Sequence, residues 1–97
     1  MRIRIEAEAS EEIRLVAVYL DVVAPAQVEV FLDEIARARA LMVQHPDAHP
    51  KAGRGCRRIL LASHPYQIVY RVEGDEIVVY AVAHLKRRPR YWRKRVV

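Results

Sequence analysis

Residues 66–84, YQIVYRVEGDEIVVYAVAH, hold two apolar segments on either side of a Gly-Asp pair. Both segments are rich in Ile, Val and Tyr, which are residue types enriched in β-strands. Gly74-Asp75 is typical of a two-residue hairpin, because glycine readily adopts the positive φ of a type II′ turn. The stretch therefore predicts two antiparallel strands. A third strand, Cys56–Ala62, is predicted just before them, with Ser63–Pro65 as the connection, which makes a three-stranded meander.

Two amphipathic helices are predicted upstream of the meander. The first begins near Ala7 or Ser10. The second carries Pro25 in its first turn. It ends at His45, because Pro46 disfavours helical geometry in the residue before it. The first apolar stripe comprises Ala9, Ile13, Val16, Leu20 and Val23. The second comprises Val28, Phe31, Ile35, Ala38 and Met42. Both stripes follow the 3.6-residue period, so each helix has one face to bury.

A short strand is predicted at Arg2–Ile5, where basic and apolar residues alternate. Residues 45–55, HPDAHPKAGRG, are expected to form a loop, since they hold two prolines and two glycines and show no periodicity. After Pro89, residues 90–95 are expected to form a short helix or tail. The order βααβββ predicts a single α+β domain over residues 1–97, with the helical hairpin packed on an antiparallel sheet.

Composition and charge restrict the functions open to the chain. Its 97 residues are 53% hydrophobic and contain one cysteine, which predicts a folded protein of a reducing cytoplasm. No apolar run approaches the roughly 20 residues of a membrane span. The four histidines have no metal-ligand spacing, so we expect neither a metal nor a cofactor. Residues 1–50 carry a net charge of −4 and residues 51–97 carry +9, which places partner binding in the second half.

The densest positive charge lies in Lys86–Arg95, KRRPRYWRKR, which we call the basic segment. Charge runs near termini are often only solvated, but Tyr91 and Trp92 can anchor an interface or stack on a base, and one of them is expected to pack on the sheet. The predicted target-binding residues are Lys86, Arg87, Arg88, Arg90, Tyr91, Trp92 and Arg93. Arg57, Arg58 and Arg71 are predicted to extend this surface as a basic patch on the sheet face opposite the helices, or else to be ordinary outward-facing strand residues.

The chain resembles toxins of the RelE/ParE superfamily of type II toxin–antitoxin modules. The segments that carry the resemblance are EAEASEEI, HPDAHP and CRRILLASHPYQIVYRVEGDEIVVYAVAHLKRRPRYW, with HPYxIVYRV…VAHxxRRPxYW as the most specific combination. The resemblance spans essentially the whole chain and agrees with the predicted βααβββ order. It implies a cytoplasmic toxin, often tied to plasmid stabilisation, that is neutralised by an acidic antitoxin which folds as it binds.

Two activities follow from the resemblance. RelE-like members cleave mRNA in the ribosomal A site without a metal, and here that role would fall to Arg58, Arg71, His84, Arg87 and Tyr91. ParE-like members poison DNA gyrase and need no catalytic residues. Gln67 stands where RNA-cleaving members tend to have an arginine, and Leu60 stands where they have the second of two alternating basic residues. These replacements favour a ParE-like gyrase inhibitor, with the mRNA endoribonuclease as the alternative and a plain nucleic-acid-binding module as a third class.

Overall fold

The computed structural model describes all 97 residues. Its elements are β1 Arg2–Ile5, α1 Ala7–Val23, α2 Gln27–Gln44, β2 Lys51–Gly53, β3 Cys56–Leu60, β4 Tyr66–Glu73, β5 Glu76–His84 and a C-terminal 3₁₀ helix, Tyr91–Arg95. The predicted α+β class is confirmed, as is the order of a strand, two helices and three longer strands. Two helix boundaries agree with the prediction: α1 begins at Ala7, and α2 ends one residue before His45. The placement of Pro25 in the first turn of the second helix is wrong, because α2 begins at Gln27 and Pro25 lies in the link before its N-cap, Ala26.

The predicted hairpin at the centre of the sheet is confirmed. The five strands lie in the order β1-β5-β4-β3-β2. β4 and β5 are antiparallel, with Glu73 paired to Glu76 on either side of the Gly74-Asp75 turn. Gly74 has a φ of 65° and Asp75 has no positive φ, as the expected type II′ turn requires.

The prediction of a purely antiparallel sheet is wrong at the first strand. β1 runs parallel to β5, with Ile3 beside Ile77 and Ile5 beside Val79, so the sheet is mixed. Both isoleucines pack against the core beneath the helices. The alternation in Arg2–Ile5 specifies a strand with one buried face, but it cannot specify a partner that lies at the other end of the chain.

The prediction that residues 45–55 form an irregular loop is wrong for Lys51–Gly53. These residues are strand β2, which pairs antiparallel with β3. The connecting residues Arg54 and Gly55 have φ values of 53° and 78°, the two successive positive values of a type I′ hairpin turn. A strand of three residues is too short to show alternation, which explains why the sequence pattern did not reveal it.

The two helices cover one face of the sheet. From the predicted stripes, Ala9, Val16, Leu20, Phe31, Ile35, Ala38 and Met42 are buried. They pack against sheet residues that include Ile59, Ile68, Ile77 and Val79. Val23, at the end of the first stripe, is instead 55% exposed, because α1 ends there.

A second, smaller core covers the opposite face of the sheet. It contains Cys56, Val69, Val78, Tyr80, Ala81, Trp92 and Val96. A β-bulge shapes this face: Val69 pairs with Ala81 and Tyr70 pairs with Val79, so Tyr80 is the extra residue on β5. The bulge directs both Tyr80 and Ala81 to this face. Because both faces are covered, β5 is buried continuously from Ile77 to Ala83.

A buried carboxylate ties α2 to the turn before β4. Glu34 is 9% exposed and accepts hydrogen bonds from the Ser63 backbone N–H at 2.7 Å and the Ser63 hydroxyl at 2.5 Å. Its other oxygen lies 2.7 Å from His64 Nδ1. Burial alone would raise the pKa of Glu34, but the hydrogen bonds from Ser63 and His64 outweigh burial and lower that pKa below its ordinary value.

We expect Glu34→Gln to lower the free energy of unfolding by about 1–3 kcal/mol at pH 7, because a neutral amide leaves a buried donor without its partner. The folded-state pKa of Glu34 is depressed, so its contribution is present above the unfolded pKa and declines as pH falls through the folded value. The difference between the two proteins should therefore shrink below about pH 4. Urea unfolding at pH 7 and pH 3 measures it, with Glu29→Gln, an exposed glutamate of the same helix, as the control. Equal differences at both pH values would contradict the prediction.

Candidate functional site

The basic segment returns across the sheet instead of extending into solvent. After β5 ends at His84, the chain turns and forms the 3₁₀ helix on the face opposite α1 and α2. Trp92 is only 2% exposed and Val96 only 3% exposed, and both pack in the second core. The prediction that one of the two aromatic residues packs on the sheet is confirmed by Trp92.

An ion pair between α1 and the 3₁₀ helix fixes the segment in place. Arg95 Nη1 and Nη2 donate to the two carboxylate oxygens of Glu12 at 2.9 and 3.1 Å. The side chains of Glu12 and Arg95 are 14% and 15% exposed. Glu12 also accepts the Val82 N–H at 3.0 Å, and Arg95 also donates to the Tyr80 carbonyl at 3.0 Å. The Glu12–Arg95 pair thus provides hydrogen-bond partners for two backbone groups of β5 beyond the point where β1 ends.

Tyr91 is held by the same ion pair. Its hydroxyl donates to Glu12, and the guanidinium carbons of Arg87 and Arg95 lie 3.8 and 5.1 Å from its ring centroid. Burial and the hydrogen bond to the Glu12 carboxylate raise the pKa of Tyr91 above its ordinary value. The hydroxyl is therefore neutral and engaged near neutral pH.

The other six cations of the basic segment make no ion pair. They are Lys86, Arg87, Arg88, Arg90, Arg93 and Lys94. Several of them line an open groove of about 600 Å³, which we call the basic groove. Its lining residues are Arg54, Arg88, Pro89, Arg90, Tyr91, Arg93 and Lys94. The groove contains five cationic side chains and no carboxylate.

The predicted sheet patch is divided between the two faces. Arg58 pairs with Val69 and Arg71 with Val78, so both lie on the face of the second core. Arg57 pairs with Tyr70 on the helix face and donates to the His49 carbonyl at 2.8 Å, so placing it in this patch was wrong. Successive residues of a strand point to opposite faces, and adjacent Arg57 and Arg58 cannot share one.

Arg71 is held by internal partners, whereas Arg58 is exposed. Arg71 donates to Glu73 at 2.8 Å and to the Val97 carbonyl at 3.1 Å. Glu73 also accepts from the Tyr80 hydroxyl, and this bond together with Arg71 lowers the pKa of Glu73 despite the opposing effect of burial. Burial and the neighbouring carboxylate raise the pKa of Tyr80 to about 12. Only Arg58 of the predicted patch is free to meet a ligand.

Four of the five residues assigned to the ribonuclease alternative meet around one small cavity. Arg58, His84, Arg87 and Tyr91 line a space of about 200 Å³, together with Gln67. Arg71 is not among its lining residues. His84 Nδ1 accepts the Lys86 N–H at 3.0 Å, and its ring packs edge-on against Tyr66, so an internal role already holds this histidine.

No group of three or more His, Cys, Asp or Glu side chains is placed to hold a metal ion. Neither helix is long and apolar enough to cross a membrane.

The model of one protein family, described as the ParE toxin of the type II toxin–antitoxin system parDE, matches residues 3–89. The chain belongs to this ParE toxin family. A solved chain described as the chromosomal ParDE toxin–antitoxin system from P. aeruginosa is similar in fold, with a TM-score of 0.75 and 18% sequence identity. The similarity covers 87% of this chain and 95% of that one. No curated protein matched the chain.

The ParE family match ends at Pro89, so the 3₁₀ helix and most of the basic groove lie beyond it. Sequence reasoning found most of the cations there but missed Arg54 and Glu12. The Arg54-Gly55 pair was the only local signal for the first, since an X-Gly pair is typical of type I′ turns. Glu12 had no signal, because it is one of several glutamates near the start of α1, where acidic residues are ordinary.

Proposed function

We propose that this toxin arrests growth by poisoning DNA gyrase and is neutralised by a cognate antitoxin. The observation that carries the proposal is the fixed basic segment, whose cations Lys86, Arg87 and Arg88 are free of internal ion pairs. A rigid positive surface of this kind suits docking on a large protein–DNA complex, because little conformational entropy is lost on binding. The toxin acts in the cytoplasm, where gyrase and DNA meet.

A supercoiling assay with purified gyrase tests the proposal. Micromolar toxin should stall supercoiling and cause cleaved DNA to accumulate. Lys86→Glu should weaken this inhibition, because it reverses the charge of one exposed cation of the fixed basic segment. Lys86 lies outside the basic groove, so the change leaves the groove intact. Arg39→Glu is the matched control, since it makes the same charge change on the exposed side of α2. Unchanged supercoiling at micromolar toxin would contradict gyrase as the target.

The antitoxin is proposed to bind between α2 and the outer edge of β3. β2 covers only the first part of that edge, and beyond Arg58 no strand pairs with it. A shallow apolar groove of about 110 Å³ lies beside it, lined by Leu41, Ile59 and Leu60 among others, with Arg37 at its border. An acidic, amphipathic segment can add backbone hydrogen bonds at the edge and bury its apolar side chains in the groove. Leu60→Asp should weaken antitoxin binding at least tenfold by calorimetry; unchanged affinity would rule out this location.

The ribosome-dependent mRNA endoribonuclease is the second candidate, and the small cavity around Arg58, His84 and Arg87 is the observation in its favour. A metal-free ribonuclease must stabilise a developing phosphorane with fixed cations, and loss of one such donor typically costs about 10²–10³ in rate. Here Gln67 is neutral and the Tyr91 hydroxyl is bonded to Glu12. Toeprinting of translating ribosomes would reveal A-site cleavage, and its absence with active ribosomes removes this candidate.

A further inference from the structure

The basic groove is built around two arginines in an unusual backbone conformation. Arg54 and Arg90, with φ values of 53° and 59°, are the only non-glycine residues of the chain with positive φ. Both line the groove from different elements, one on the β2–β3 turn and the other just before the 3₁₀ helix. Left-handed conformations are unfavourable for arginine, and such strained residues cluster at binding sites.

The end of β2 and the residue before the 3₁₀ helix are in contact at this point. The Arg90 guanidinium packs over Gly53, where an added β carbon would lie 3.5 Å from Arg90 Cζ. This contact holds Arg90 against the end of β2, beside the Arg54 turn. The groove is therefore a defined junction between two elements of the fold and not a disordered charge run.

The charge of the groove is uncompensated. None of Arg54, Arg88, Arg90, Arg93 and Lys94 forms an ion pair, although arginines elsewhere in the chain form six. All five side chains belong to exposed residues. Five like charges around one concavity repel one another, and an anion that spans the groove would relieve that repulsion.

The aromatic residues of the segment indicate which polyanion fits. Single-stranded nucleic acids bind by stacking bases on exposed rings, but Trp92 is 2% exposed and the Tyr91 ring is covered by Arg87. An amphipathic acidic peptide needs apolar surface, and the groove offers only Pro89 and part of Tyr91. Cations without free rings or apolar surface suit a regular array of phosphates. We infer that the basic groove binds the phosphate backbone of duplex DNA, independently of sequence and without gyrase.

The affinity of the basic groove for duplex DNA should depend on salt concentration in a defined way. Neutralising one phosphate with one cation contributes about −0.9 to the slope of log K against log salt concentration on B-DNA. Five groove cations therefore give a slope of about −4.5, which lowers affinity about 500-fold between 50 and 200 mM salt.

Fluorescence anisotropy with a labelled 20-base-pair duplex of mixed sequence measures the affinity and its slope. Arg93→Gln/Lys94→Gln should reduce the slope to about −2.7. Arg54→Asn should reduce it by about 0.9, because asparagine tolerates the left-handed conformation but carries no charge. Arg39→Gln, which removes one charge from α2 outside the groove, should leave both slope and affinity nearly unchanged. Equal effects of Arg39→Gln and the groove variants would overturn the inference.

Three competing probes complete the test: single-stranded DNA, single-stranded RNA and polyglutamate. Tighter binding of any of them than of the duplex would overturn the inference. Failure here is distinguishable from failure of the gyrase proposal, because the anisotropy assay contains no gyrase. If the gyrase proposal holds but the groove does not bind DNA, Lys86→Glu should weaken gyrase inhibition more than the Arg93→Gln/Lys94→Gln variant does.

Discussion

Glu12→Ala is expected to lower the free energy of unfolding by about 3–5 kcal/mol, because it removes one partner of a nearly buried ion pair. Arg95, at 15% exposure, would keep only the exposed Glu8 carboxylate as an ionic partner, and the Val82 N–H and the Tyr91 hydroxyl would lose their acceptor. For a small domain whose total stability is about 5–15 kcal/mol, this is a large fraction. Alanine is a good helix former, so the loss does not arise from α1 itself.

Glu8→Ala is the matched control for this prediction. Glu8 belongs to the same helix and contacts the same Arg95 at 3.3 Å, but its side chain is 66% exposed. An exposed pair of this kind contributes about 0–1 kcal/mol. Urea unfolding followed by the fluorescence of the single tryptophan, Trp92, measures both variants. Similar losses for Glu8→Ala and Glu12→Ala would show that burial of the ion pair is not what stabilises the segment.

Trp92→Ala should also destabilise the protein by about 3–5 kcal/mol, since it leaves a large cavity between the 3₁₀ helix and the sheet. The side chain packs in the second core with Val69, Tyr80 and Val96. Losing it should release the basic segment, so inhibition of gyrase and binding of duplex DNA should both fall even where the rest of the chain stays folded.

Trp92→Phe provides the control, because a phenyl ring fills most of the same space and should cost less than alanine. Circular dichroism must replace fluorescence here, since the variants lack the only tryptophan. If Trp92→Ala unfolds at the same urea concentration as Trp92→Phe, the indole does not anchor the segment. Full gyrase inhibition by a folded Trp92→Ala variant would show that the segment inhibits gyrase without being fixed on the sheet.

Local patterns predicted the parts of the fold that depend on near neighbours in the chain. The stripes of α1 and α2, the Gly74-Asp75 turn and the packing of one aromatic residue of the basic segment were all visible, because periodicity, turn chemistry and the cost of exposing an aromatic ring act locally. The parallel pairing of β1 with β5 was not, since antiparallel and parallel partners require the same alternation.

The candidate site was only partly predictable for the same reason. A count of charges located the basic segment, but the Glu12–Arg95 pair joins residues from opposite ends of the chain. The apolar run of β5 did contain a usable signal, because a strand that is apolar on both sides must be covered on both faces. Arg54 lies in the turn that follows β2, a strand that the sequence did not predict. Its place in the basic groove was therefore apparent only from the three-dimensional structure.

The Glu12–Arg95 pair also has a consequence for self-association. Where β1 stops, the open margin of β5 would otherwise be a template on which a second copy could build a continuous sheet. Side chains already occupy the Tyr80 carbonyl and the Val82 amide, so an incoming strand finds no free backbone partners there. On this side of the sheet, strand addition is therefore restricted to the outer edge of the four-residue strand β1. The opposite margin offers the unpaired part of β3, which is also where the antitoxin is proposed to bind.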